Sequence, residues 1–295
     1  MARPPGRLKP TEGEALIRVH HLNCGTLRPL GGRLVDGQPG LLRRAEMVCH
    51  CLLLETGTGL TLVDTGFGAT AAKDASGWLG GPFVRLASAD TSPAQTAVAQ
   101  VTGLGFDPRD VRDIVLTHLD FDHAGGLADF PDATVHVYEK ELEAARHPRD
   151  RKERMRYRPV QFAHGPKWAP CTEQGEPWFG FGAVRELGGL PPEILLVPLA
   201  GHTRGHAGVA VDTGNGWLLH AGDSFFHAGE TAPEGPRCPP GLALFESAVQ
   251  TGRAARLRNQ ERLRTLARDH ADDVRVFCAH DTAQYRRLAG PAGLS

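Results

Sequence analysis

The stretch Thr117-His118-Leu119-Asp120-Phe121-Asp122-His123-Ala124-Gly125-Gly126 says most about how this chain folds. Two histidines and two aspartates, all potential metal ligands, lie within six residues of one another. They directly follow Ile114-Val115-Leu116, an apolar run that predicts a buried strand. A strand that ends in such a cluster directs several ligands to one place, as a metal site requires. The glycine pair allows a tight turn into a helix.

Four other motifs repeat this arrangement of polar residues after an apolar run. Upstream, Leu60-Thr61-Leu62-Val63 ends in Asp64-Thr65-Gly66. Downstream come Gly201-His202-Thr203-Arg204-Gly205-His206, then His220-Ala221-Gly222-Asp223, then Ala279-His280-Asp281. One such motif is weak evidence. A series of them predicts a single composite metal site.

With these five motifs the chain resembles the metallo-β-lactamase superfamily of metal-dependent hydrolases, over roughly residues 15–285. The resemblance implies an α/β fold, the four-layer αββα sandwich, with the metals at one edge. It implies two divalent metal ions, zinc being expected and manganese or iron the alternatives. Mapped by motif, it assigns His118, Asp120 and His202 to one metal, Asp122, His123 and His280 to the other, and Asp223 to a bridging position. It also implies supporting roles for Asp64 and His206, behind the ligands.

Asp120 departs from the superfamily pattern, in which a histidine is commonest at this position. A carboxylate makes the site more anionic and its donors harder, which favours Mn²⁺ or Fe²⁺ relative to an imidazole-rich zinc site. The alternative is that Asp120 points away and the first metal is weakly held or absent. That alternative allows an active mononuclear enzyme.

Composition restricts the range of functions. The chain has 295 residues, 41% hydrophobic and 23% charged, with a formal net charge of −1. This balance is that of an ordinary globular protein and offers no overall attraction to nucleic acid or an anionic membrane. Without an apolar signal segment at its start, and with six scattered cysteines read as reduced thiols, we expect a cytoplasmic protein. The oligomeric state is left open between monomer and homodimer.

The order of elements predicts one domain over residues 15–290 after a flexible tail, 1–14. Strands are expected at 16–22, 47–64, 114–117, 134–138, 194–197, 207–211, 217–220 and 274–278. Helices are expected from Ser92 to Val101, at 139–146 and at about 246–269. Residues 147–185 predict an irregular insertion, since they join a basic run to aromatic residues among Gly and Pro.

The predicted function is hydrolysis of an ester-like bond by a metal-bound hydroxide, with Asp122 orienting the hydroxide or taking its proton. Among the superfamily's branches the chain looks most like the N-acyl homoserine lactone lactonases, although these typically carry a tyrosine where this chain has Phe226. A small substrate, anionic or acylated, would then lie near Phe226, His227 and Trp178. The alternatives are a phosphoester hydrolase, which the basic run 146–158 suits, and a metal-loaded binding protein with little turnover.

Overall fold

The computed structural model describes residues 16–172, 175–182 and 187–290. The predicted tail, 1–14, lies outside the described residues. The strands are β1 (Arg18–Leu27), β2 (Met47–Thr56), β3 (Gly59–Val63), β4 (Val111–Val115), β5 (Thr134–Tyr138), β6 (Lys167–Cys171), β7 (Pro177–Trp178), β8 (Phe181–Gly182), β9 (Ile194–Pro198), β10 (Ala207–Asp212), β11 (Trp217–His220) and β12 (Val274–Phe277).

The helices connect and cover these strands. They are α1 (Arg33–Asp36), α2 (Gly68–Lys73), α3 (Gly81–Ala87), α4 (Ala97–Gly103), α5 (Phe121–Ala124), α6 (Glu139–Arg146), α7 (Arg151–Arg156), α8 (Pro240–Val249), α9 (Arg253–Asp269) and α10 (Thr282–Leu288). Short 3₁₀ turns lie at Pro93–Gln95, Pro108–Asp110, Leu127–Asp129, Pro159–Phe162 and Ala228–Thr231, and a π-turn at Ser76–Gly80. Within the described ranges, none of the helices combines the length and apolar character needed to cross a membrane.

Two larger sheets form the centre of the molecule. The first has the strand order β1-β2-β3-β4-β5-β6, antiparallel from β1 to β3 and parallel from β3 to β6. The second has the order β12-β11-β10-β9, with β11 and β12 parallel. Strands β7 and β8 form a separate small hairpin.

Alternating side chains on the strands build three apolar layers. On β2, Leu52 and Leu54 face the second sheet, while Leu53 faces the helices outside the first sheet, because successive side chains of a strand point to opposite faces. Helices α4 and α6 cover that outer face, and α9 covers the second sheet through Leu263 and Leu266. The predicted four-layer αββα sandwich is therefore confirmed.

Several element boundaries differ from the sequence predictions. Residues 47–64 form two strands joined by a tight turn at Gly57, instead of one. The helix predicted from Ser92 starts later, because Thr96 caps α4 by accepting a hydrogen bond from the Ala99 amide. Within the described part of the predicted insertion, 147–185, regular structure is present, since β6 extends the first sheet in parallel with β5.

The long helix predicted at 246–269 is broken into α8 and α9. The amides of Thr251 and Gly252 donate to the carbonyl of Gly201 at 3.1 and 2.8 Å. The Thr251 amide also lies 3.0 Å from the His202 carbonyl. The break therefore supplies free backbone donors that anchor the loop carrying His202.

Candidate metal centre

The polar motifs converge at one edge of the sandwich. Asp64 follows β3, His118 follows β4, and Asp223 and His280 follow β11 and β12. Strands β3 and β4 are parallel in the first sheet, and β11 and β12 are parallel in the second. Within each pair, the C-terminal ends therefore lie at the same edge of the sheet. His202 reaches the same place from the loop after β9.

Asp223 divides its two carboxylate oxygens between two groups of histidines. Its Oδ2 lies 3.7 Å from Nε2 of His118 and 3.4 Å from Nε2 of His202. Its Oδ1 lies 3.3 Å from Nε2 of His123 and 3.1 Å from Nε2 of His280. We call His118, His202 and Asp223 the first donor set, and His123, His280 and Asp223 the second. Within each set the donor atoms lie within 4.8 Å of one another.

The donor atoms of these sets fit divalent cations. Nε2 of His118, Nε2 of His123 and Oδ1 of Asp223 are buried without a hydrogen-bond partner. Buried polar atoms are rarely left unpaired. Three unpaired atoms pointing into one space, from imidazoles and a shared carboxylate, are the pattern expected of a site built for metal.

The two remaining aspartates of the central motif lie on opposite sides of this cluster. Asp122 lies next to the second donor set, with Oδ2 3.7 Å from Nε2 of His280. Asp120 lies next to the first, with Oδ2 3.0 Å from Nε2 of His202 and 3.4 Å from Nε2 of His118. The side chain of Asp120 thus points toward the cluster.

Opposite charges perturb the pKa values of the cluster in the metal-free chain. Burial alone raises the pKa of Asp223, but His280 and His123 outweigh it and hold that pKa well below its usual range. Burial lowers the pKa of His123, but Asp223 and Asp64 raise it well above the ordinary value. Burial raises the pKa of Asp122. In the second donor set, the anionic Asp223 therefore favours the protonated forms of His123 and His280.

Arg156 adds a positive charge beside the first donor set. Its Nη1 lies 3.0 Å from Oδ2 of Asp120. Burial raises the pKa of Asp120, but Arg156 and His118 hold it well below the usual range. Burial and Arg156 together lower the pKa of His202 to about 4, so this imidazole is neutral at physiological pH.

Asp64 and His206 lie directly behind the donor sets. Oδ2 of Asp64 accepts from Nδ1 of His123 at 2.8 Å, and its two oxygens also accept from the amide and hydroxyl of Thr117. Nε2 of His206 accepts from the Asp223 amide at 2.8 Å, and its Nδ1 lies 3.2 Å from the Leu199 carbonyl. Both nitrogens of His206 are thereby used within the protein.

An apolar cavity of about 400 Å³ opens from the donor sets. Its floor includes Asp120, Asp122, His202, Asp223 and His280. Its walls include Leu27, Phe83, Leu86, Phe121, Leu242 and Phe245. These walls come from β1, α3, α5 and α8, which are far apart in the sequence.

The three predicted pocket residues have different positions. Phe226 lines the cavity and stacks on His280, with ring centroids 5.0 Å apart and planes 11° apart. His227 lines a neighbouring depression and caps the turn at Ala228–Thr231. Trp178 does not line the cavity, because its apolar ring is buried against Trp217 beside the second sheet.

The comparison with known families identifies the chain's relatives. The family model described as the metallo-beta-lactamase superfamily matches residues 44–274. This range contains six of the seven predicted ligands, and His280 lies beyond it. The chain belongs to the metallo-beta-lactamase superfamily.

Three similar proteins define the neighbourhood of this superfamily member. A probable metallo-hydrolase of Mycobacterium tuberculosis is 43% identical over 270 residues, covering 92% of this chain and 82% of that protein. An N-acyl homoserine lactonase of Bacillus thuringiensis is 29% identical over 179 residues, covering 59% of this chain and 62% of that protein. A solved structure of a B. thuringiensis AiiA mutant with N-decanoyl-L-homoserine bound has a TM-score of 0.66 at 21% identity, covering 92% of this chain and 96% of that one. The superfamily member is accordingly a metallo-hydrolase with lactonase-like neighbours.

Sequence reasoning missed three residues at this centre. Glu141 is buried and accepts hydrogen bonds from the loops that carry His118 and His202. Arg156 belongs to the basic run 146–158, in which the sequence distinguishes no single arginine. Cys49 is buried, and its sulfur lies within 4.8 Å of donor atoms of Asp122 and His280. Cys49 lies within β2 and not after its end, so the pattern of ligands that follow apolar runs did not indicate it.

Proposed function

We propose that this hydrolase opens acylated lactones, using two divalent metal ions held by the two donor sets, with zinc expected. The observation that carries the proposal is an apolar cavity whose floor is the metal centre. A substrate that fits it has an ester-like carbonyl at one end and an aliphatic chain along the walls. The lactonase relative and the AiiA structure with N-decanoyl-L-homoserine bound support the same substrate class.

The residues of the centre divide the work of hydrolysis. Divalent cations bound there would lower the pKa of bound water to about 7 and act as Lewis acids toward a carbonyl. Asp122 lies between the cavity and the second donor set, and burial raises its pKa. That position suits it to orient the attacking water and to accept its proton. Asp223 fixes the spacing of the two donor sets.

The cavity wall supplies binding energy for the acyl chain. Each buried methylene contributes about 0.8 kcal/mol, so longer chains are expected to react with higher kcat/KM until the cavity is filled. Phe245 contributes to the wall, whereas its neighbour Leu244 is 73% exposed and does not line the cavity.

The charges of the cavity support an ester more than a phosphoester. Lys152 and Arg156 line it, but Nζ of Lys152 lies 2.5 Å from the Gln250 carbonyl and Arg156 pairs with Asp120. Arg156 is thus neutralised by its carboxylate partner, and Lys152, whose partner is a neutral carbonyl, is the one lysine or arginine of this lining left to face a phosphate. A phosphodiester is therefore the comparison substrate in the test below.

The test is a substrate panel on the metal-loaded, purified protein. It compares N-acyl homoserine lactones from butanoyl to dodecanoyl with bis(p-nitrophenyl) phosphate. We expect ring opening that increases with chain length, a loss of this increase in Phe245→Ser, and its retention in the matched rim variant Leu244→Ser. Asp122→Asn should abolish turnover. Phosphodiester cleavage without lactone opening would indicate a phosphoester hydrolase instead. Tight lactone binding without turnover would indicate a binding protein.

A further inference from the structure

Arg156 ties the first donor set to the cavity wall. Its Nη1 donates to Oδ2 of Asp120, the oxygen that also lies 3.0 Å from Nε2 of His202. Its Nη2 donates to the Val249 carbonyl at the end of α8. Oδ1 of Asp120 is buried and has no partner. The guanidinium thus holds one oxygen of Asp120 and leaves the other free.

The position of Arg156 is fixed by contacts other than Asp120. Asp150 precedes helix α7, and its side chain caps the helix by accepting from the Glu153 amide. Glu153 in turn pairs with Arg204, with Nε and Oε1 2.7 Å apart. Only 7% of the Arg156 side chain is exposed. A buried cation held this firmly stays beside the first donor set when a metal arrives.

The charges around the two donor sets consequently differ. Beside the first, Arg156 cancels the charge of Asp120. Beside the second, Asp122 has no arginine or lysine partner in the described part of the chain. We infer that Arg156 makes the two metal positions unequal, so that a divalent cation binds the second donor set more tightly than the first. The physical reason is that like charges repel strongly in a buried environment.

This inference rests on the metal centre of the proposed function, and not on its substrate. The test is a calorimetric titration of Zn²⁺ into the EDTA-treated full chain. We expect two classes of site, of which His202→Ala removes the weaker and His280→Ala the tighter. Arg156→Met should strengthen the weaker class by about tenfold or more. Arg156→Lys keeps the charge and should keep the classes apart, and Arg154→Met, an exposed arginine of the same helix, should match the wild type.

The possible outcomes separate this inference from the proposed function. If the wild-type chain binds no Zn²⁺, both are wrong. If it binds Zn²⁺ at two equal sites, or if Arg156→Met leaves the weaker class unchanged or weakens it, only the inference is wrong. Should Arg156→Met fail to fold, the His202→Ala and His280→Ala titrations still decide which position is tighter. Loss of the tighter class in His202→Ala overturns the inference.

Discussion

Oδ2 of Asp64 lies 2.8 Å from Nδ1 of His123, and this contact determines which nitrogen of the imidazole faces the metal centre. When the Nδ1–H group of His123 donates a hydrogen bond to this carboxylate, Nε2 is left to bind a cation. Asp64 itself has a φ of 58°, in the left-handed region that a residue other than glycine seldom adopts. Such local strain is typical of functional sites.

Replacing Asp64 with Asn should weaken metal binding by about 10- to 100-fold, the usual cost of losing a partner behind a ligand. Asn tolerates the left-handed backbone, so the variant changes the hydrogen bonds and not the turn. The measurement is competition for Zn²⁺ against a chromophoric chelator. Unfolding of the EDTA-treated variant serves as the control for stability. An unchanged affinity would show that Asp64 does not orient His123.

Glu141 joins the two loops that carry the first donor set. Its Oε1 accepts from the Leu119 amide, and its Oε2 accepts from the Thr203 hydroxyl at 2.7 Å and from the Gly205 amide at 3.1 Å. Gly205 is required by this close approach, since a Cβ there would lie 2.0 Å from the Glu141 amide nitrogen. Both oxygens of the Glu141 carboxylate therefore accept hydrogen bonds from the two loops.

Glu141→Gln should lower the free energy of unfolding by about 3 kcal/mol, because an amide NH₂ would face buried donors. Chemical denaturation of the metal-free protein measures the effect. Glu139→Gln, on the exposed side of the same helix, is the matched control and should change little. Equal stability of the two variants would contradict the role given to Glu141.

The sequence was sufficient to predict the parts of the molecule that local patterns encode. Candidate metal ligands such as His118 follow apolar runs, and the C-terminal ends of parallel strands place them at the same edge of a sheet. Trp178 was misplaced, because an aromatic residue among Gly and Pro looks the same whether its ring is buried or lines a pocket. The sequence pattern shows residue type, and the burial of such a ring depends on packing.

Contacts between distant elements could not be predicted. Arg156 and Asp120 are 36 residues apart and belong to different elements, and the basic run offers several arginines of equal appearance. The cavity walls likewise combine residues such as Leu27 and Phe245, which share no motif. Only the folded chain selects which arginine is buried and which apolar side chains meet.

Glu246 should give the protein a pH-dependent stability. Burial and the neighbouring Glu230 raise its pKa from 4.5 to about 9. Between these values the folded chain binds a proton that the unfolded chain has lost, so stability falls as pH rises. The slope from one such group is at most about 1.4 kcal/mol per pH unit.

Glu246→Gln should remove this slope, since the amide imitates the protonated carboxyl at every pH. The check is a series of denaturation curves between about pH 5 and pH 9. Glu143→Gln, an exposed carboxylate, is the control and should keep the wild-type slope. The prediction is wrong if the wild type and Glu246→Gln lose stability in parallel.

Phe226→Tyr should increase lactone hydrolysis. Phe226 lines the cavity and stacks on His280, and its ring centroid is 5.7 Å from that of His202. A hydroxyl on this ring would place a hydrogen-bond donor near the reacting carbonyl. The lactonases that this chain resembles typically have a tyrosine at this position. One added hydrogen bond of about 1.4 kcal/mol in the transition state raises kcat/KM about tenfold.

The matched control is Phe245→Tyr, which adds the same hydroxyl to the cavity wall away from the floor. Steady-state kinetics with one acyl homoserine lactone distinguishes the two variants. A gain in Phe226→Tyr alone means that the position above the metal centre matters. An equal gain in both means that general polarity of the cavity is responsible. No gain in either variant would contradict the prediction and leave Phe226 with a packing role against His280.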